Sequence, residues 1–113
     1  MEIFGSPQQT MEAALEIRAA RAELLAANVA NADTPGYQAR DLNFDDVLAK
    51  ALADPKDAAD SAAATAPDNI RYDRNDVDVS EQLGRAYENS LDYVATLRLY
   101  GDALGRIKTA TGS

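Results

Sequence analysis

Few residues in this chain can do chemistry. Its 113 residues include no histidine and no cysteine, so a catalytic site would have to be built from paired carboxylates, Lys, Tyr or Ser. Asp45-Asp46 is the most visible acid pair. Neighbouring residues point about 100° apart on a helix, however, and both acids suit the positive end of a helix start. The stretch "DRNDVD", Asp73 to Asp78, spaces its acids in the manner of a calcium loop but lacks the central Gly and terminal Glu. No glycine-rich phosphate loop is present. Tyr87, Tyr93 and Tyr100 suit half-buried interfaces, because one end of the side chain is apolar and the other hydrogen-bonds. The residues therefore predict no enzyme, no cofactor and no metal site.

What remains is a polar helix ending. In "ANVANADTPGYQARDLNF", Ala27 to Phe44, Asn28 and Asn31 stand one turn apart on one helical face, just before Thr34-Pro35-Gly36-Tyr37. Pro35 and Gly36 fit the central positions of a type II turn, whose second position needs positive φ. The asparagines are then placed either to hold that turn or to bond a neighbouring subunit, and Tyr37 either to fold back on the helix or to dock on a neighbour.

The composition limits the partners. The net charge of −8 disfavours nucleic acid and anionic membrane, where Lys and Arg supply most of the affinity. No apolar run approaches the roughly 20 residues that span a bilayer, so no direct membrane insertion is expected. "MEIFGSPQQT" has neither the basic nor the apolar region of a cleaved secretory signal. Hydrophobic residues make up 46% of the chain, but 23 residues are alanine and Trp is absent. Such a supply suits narrow helix–helix seams better than a thick core.

The periodicity predicts an all-α chain, one rod-type coiled-coil domain over residues 1–113. Its long N- and C-terminal helices pair antiparallel, joined by a short middle helix and a flexible linker. Ser6 and Pro7 open a helix over about 7–31. Met11, Leu15, Ala22, Leu25 and Val29 repeat at coiled-coil spacing, with Arg18 as the flaw whose head should reach water. A turn covers 32–43, and Asn43 caps a short amphipathic helix over about 44–53. Residues 54–77, rich in Ala, Asp and Ser, read as a linker, although alanine allows a partial helix near 58–64. Asp78 and Glu81 form a capping-box pattern opening a helix over about 79–108. Its seam is read as Leu83, Tyr87, Val94, Leu97, Gly101 and Leu104, with Ala86, Tyr93, Tyr100 and Ile107 on the adjoining flank.

"RAELLAANVANADTPGYQARDLNF", Arg21 to Phe44, resembles the N-terminal signature of flagellar basal-body rod proteins, an ANxANxxTPGY-type motif closing the first helix. "NDVDVSEQLGRAYENSLDYVATLRLYGDALGRIKTA" is similar to that family's terminal helix after an Asn-x-Val-Asp opening. Two departures stand out: Asp73-Arg74-Asn75 replaces the usual Asp-Gly-Asn turn, and the middle is shorter. The resemblance implies a structural subunit of the proximal rod, exported to the periplasmic basal body without a cleaved signal, assembling through its terminal helices around the export channel and transmitting torque. It also implies neighbours: further copies and FlgC, together with FliE and the MS-ring protein FliF. The same heptads would serve a soluble helical adaptor or chaperone-like module, which has no evident need of Thr-Pro-Gly-Tyr beside paired asparagines.

Overall fold

The computed structural model describes residues 7–53, 58–72 and 77–112. Helix α1, Pro7–Ala30, begins on the proline whose missing N–H costs nothing at that position; the expected cap Ser6 and the Asp73–Asn75 departure lie outside the described residues. Strand β1, Arg40–Leu42, follows the turn and leads into α2, Phe44–Leu52. The Asn43 side chain accepts from the Asp46 N–H at 3.0 Å, with Asp45 and Asp46 in the first turn and Lys50 in the last. Helix α4, Val79–Ala110, starts with Asp78 accepting from the Glu81 N–H at 3.2 Å. Its 32 residues make it roughly 48 Å long, which sets the long axis of a molecule measuring 58 × 24 × 15 Å.

The chain is mostly helical, as the periodicity predicts, with long first and last helices. They run antiparallel: Glu12 meets Tyr100, Arg18 meets Asn89 and Asp92, and Asn28 meets Gln82.

The segment expected to be a flexible linker is instead folded wherever it is described. Helix α3, Ala58–Thr65, continues into a 3-10 turn, Ala66–Asn69, and then strand β2, Ile70–Tyr72. Strands β1 and β2 pair antiparallel, with Arg40 opposite Tyr72 and Leu42 opposite Ile70. Alanine counts for more here than its hydrophobicity suggests. Its small side chain lets helix backbones approach closely, so Ala62 (0% exposed) and Ala66 become core residues.

The core lies between α1, α2, α3 and the β1–β2 pair. Ala13, Ile17 and Leu24 of α1 meet Leu42, Val47, Ala51, Ala62 and Ala66, with Phe44, Leu48, Leu52 and Ile70 packed around them. Helix α4 contributes no buried apolar residue; its buried residues are Gln82 and Asn89. Ile17 is fully buried at the centre of this small cluster, so Ile17→Ala should lower unfolding free energy by about 2–4 kcal/mol in urea titrations. A loss below about 1 kcal/mol would mean that the cluster is not packed as described.

Candidate assembly surface

Helix α1 ends in a saturated carboxamide. Asn28 is fully buried. Its Nδ2 donates to the Arg40 carbonyl at 2.7 Å and to Gln82 Oε1 at 2.8 Å. Its Oδ1 accepts from the Arg40 N–H at 2.9 Å and from the Tyr37 hydroxyl at 3.3 Å. One side chain thus joins α1, the turn, β1 and α4. Asn31 acts more locally: its Nδ2 donates to the Ala27 carbonyl at 2.9 Å, and its Oδ1 accepts from the Thr34 hydroxyl at 3.2 Å. Both asparagines therefore bond within the subunit.

The turn closes with Tyr37 N–H donating to the Thr34 carbonyl at 3.2 Å, and Gly36 takes φ +77° between them. That is the type II geometry expected of Pro35-Gly36. A Cβ at Gly36 would meet nothing within 4 Å, so glycine is required there by backbone conformation rather than by space. Tyr37 folds back onto Asn28 and also accepts from Arg40 Nη2 at 3.3 Å.

Two ion pairs reinforce the same junction. Arg21 grips Asp41 through Nε at 2.8 Å and Nη2 at 3.1 Å, a bidentate pair that carries geometric specificity. The hydrogen bond to Asp41 raises the Arg21 pKa above its ordinary value, against a lowering by burial and with help from the charges of Asp41, Glu88 and Asp92. Arg85 of α4 reaches Asp41 at 3.3 Å and also pairs with Glu81 one turn earlier. Arg18, expected to reach water, instead lies over the Phe44 ring at 4.0 Å and pairs with Asp92 at 3.3 Å, its side chain only 15% exposed. Farther along, the Tyr100 hydroxyl donates to Glu12 at 2.6 Å, which with burial and the Glu12 charge holds the phenol above its ordinary pKa.

The seam between α1 and α4 departs from the expected register. Leu25 is buried, Met11, Leu15 and Val29 are half-buried, and Ala22 is exposed. On α4 the expected seam residues Leu83, Tyr87, Val94, Leu97, Gly101 and Leu104 are all exposed, Tyr87 to 69%. The row facing α1 lies one residue earlier: Gln82, Ala86, Asn89, Tyr93, Thr96, Tyr100 and Ala103. The period is right and the register is shifted, because the packed face is polar while hydrophobicity marks the open one. Gln82 and Asn89, seven apart, had their own heptad as a signal. Helix α4 stays helical through Gly101 and Gly105, and neither glycine has a neighbour within 4 Å of an added Cβ. Among the described residues no group of three or more metal-binding side chains converges, and no helix is long and apolar enough to cross a membrane.

The family described as flagella basal body rod protein matches residues 9–38, which are α1 and its turn. The flagellar basal body rod protein FlgB of Escherichia coli (strain K12) is 38% identical over 106 residues, covering 74% of this chain and 77% of the relative. The chain belongs to the FlgB family of flagellar basal body rod proteins. FlgB of Salmonella typhimurium is 35% identical over 113 residues, covering 80% of this chain and 82% of that protein. FlgB of Aeromonas hydrophila is 34% identical over 116 residues and covers 88% of each. Membership makes the chain a structural subunit of the flagellar rod in the basal body, built to assemble with other basal-body components. The motif that matches the family is thus the one that locks α1, β1 and α4 together.

Removing Asn28 strands the Arg40 backbone groups, whereas removing Asn31 frees a helix end. Asn28→Ala should cost about 3 kcal/mol and Asn31→Ala about 1 kcal/mol in the same denaturation assay. Equal costs would contradict the central place given to Asn28.

Proposed function

We propose that this chain is a proximal-rod subunit whose α1–α4 hairpin is the assembly unit, with the outward heptad residues of α4 meeting neighbouring chains. The observation that carries this is the outward row on α4. Leu83, Tyr87, Leu91, Val94, Leu97 and Leu104 are each 46–69% exposed, far more clustered apolar surface than a lone helix in water needs. A heptad kept regular over 22 residues, Leu83 to Leu104, and turned away from its own partner helix fits a second helix from outside.

On this reading the subunits would stack around a central export channel and carry torque along the rod. The neighbours would be further copies and FlgC, with FliE and the MS-ring protein FliF at the base. The chain would reach the periplasmic rod through the flagellar export apparatus without a cleaved signal. The Asn28, Asn31, Thr34, Pro35, Gly36 and Tyr37 motif would serve assembly indirectly, by fixing the angle between the hairpin and the smaller α2–α3 lobe. Gly36→Val, which forces a β-branched residue to positive φ, should weaken the turn and reduce motility in complemented cells.

Leu97 tests the outward row directly. It is 48% exposed, so Leu97→Asp should leave the thermal midpoint of the purified subunit within about 3 °C of the parent. In cells it should abolish incorporation into isolated basal bodies and the motility that depends on it. Normal incorporation would remove α4's outer row from the assembly interface.

A further inference from the structure

We propose that the outward row of α4 is covered by the same row of a second copy, the two helices lying antiparallel about a two-fold axis at the level of Tyr93. The inference rests on the reading of that row as an assembly surface, and it names one partner for it.

The order of charges along the helix identifies the partner. Before Tyr93 the exposed charges of α4 are acidic, Asp78, Glu81 and Glu88; after it they are mainly basic, Arg98, Arg106 and Lys108 beside Asp102. Acids and bases stand at mirrored distances. Asp78 and Lys108 are both 15 positions from Tyr93, Glu88 and Arg98 both five, and Glu81 and Arg106 are 12 and 13. The exceptions match too, with Arg85 eight positions before Tyr93 and Asp102 nine after it. Turning one α4 end for end therefore sets each acid beside a base of the other copy, and two-fold symmetry makes every such pair twice. The apolar row is mirrored in the same way: Leu83 lies 10 positions before Tyr93 and Leu104 lies 11 after it. Among the described residues, Arg98, Arg106 and Lys108 form no ion pair within the subunit.

Parallel pairing does not use this pattern. In register it sets Glu88 beside its own counterpart and Arg106 beside its own, like charge on like. Parallel helices bring opposite charges together only when slid by about 18 positions, the separation of Glu88 and Arg106. That slide leaves more than half of a 32-residue helix uncovered, whereas the antiparallel pair covers the whole row. Each exposed ion pair adds little affinity. The charges set the direction, and burial of the exposed leucines and Tyr87 supplies the affinity. A two-fold pair closes on itself, so association through this face stops at two chains.

The chain has no cysteine, so single cysteines introduced into the full chain report the pairing without background. Val94→Cys, next to the axis, should form a disulfide dimer on mild oxidation. Leu83→Cys should not, because its counterpart lies about 30 Å away along the pair. Leu83→Cys mixed with 15N-labelled Leu104→Cys should give the mixed disulfide. These three positions are 46–54% exposed, so the variants fold. Sedimentation equilibrium of the parent should show monomer and dimer alone. Arg98→Glu combined with Arg106→Glu should weaken the dimer at least tenfold, and Lys50→Glu, on α2, should leave it unchanged. A self-disulfide of Leu83→Cys or none of Val94→Cys overturns the antiparallel pair, as does a parent that stays monomeric or grows past two chains. If the pair is overturned while Leu97→Asp still blocks incorporation into basal bodies, the rod reading stands without it. The expected disulfide pattern in a chain whose Leu97→Asp variant incorporates normally would uphold the pair and remove the row from the rod interface.

Discussion

The carboxamide of Asn28 makes four hydrogen bonds in a fully buried position, and the arrangement of α1, β1 and α4 depends on them. An amide offers two donors and two acceptor sites, so this side chain is used to capacity. Its partners come from a strand backbone, a turn hydroxyl and the opposite helix. No apolar residue could fix all three, since apolar contact is non-directional. Arg21 and Arg85 converging on Asp41 repeat the same three-way junction with charge.

Why polar bonds should set the register follows from the composition. A seam made of Ala14, Ala86 and Ala103 with a few larger residues presents little relief, and two smooth helices can slide by a turn at small cost in contact. A one-turn slide would break the bonds of Asn28 to Gln82 and of Asn89 to the Arg18 carbonyl together, leaving buried groups unpaired. Buried polar residues at seam positions are a known means of specifying helix register. This chain places two, Gln82 and Asn89, seven residues apart on α4, with Tyr100 and Glu12 as a third tie farther out.

That division of labour explains what could be read from the sequence and what could not. Local rules worked where the controlling interaction is local: the Asn43 and Asp78 caps, the positive φ of Gly36 and the turn around it follow from residue type alone. The long helices and their period were equally legible. The register of α4 was not, because a hydrophobic-seam rule assumes that the apolar row faces the nearest helix. Here Gln82 and Asn89 take the inner row, and Leu83, Val94 and Leu97 face out. The ends of the Arg21–Asp41–Arg85 junction stand 64 positions apart in sequence, and no spacing announces it. For segment 58–72 a partial helix near 58–64 was legible but its packing was not: its burial is by alanine, and a hydrophobicity count treats alanine as filler.

The outward row also sets how stability is distributed. The core apolar contacts join α1 to α2, α3 and the β1–β2 pair, whereas α4 is held mainly by hydrogen bonds, ion pairs and shallow alanine contacts. Net hydrogen bonds in water contribute modestly beside the burial of large aliphatic side chains. Residues 104–110 are exposed throughout. The end of helix α4 therefore lies near the low end of local stability, and the four leucines of its outward row, Leu83, Leu91, Leu97 and Leu104, are area still to be buried. On the proposed reading, burial of that row against a neighbouring chain would add to α4 the apolar stabilisation that its polar contact with α1 lacks in the isolated subunit.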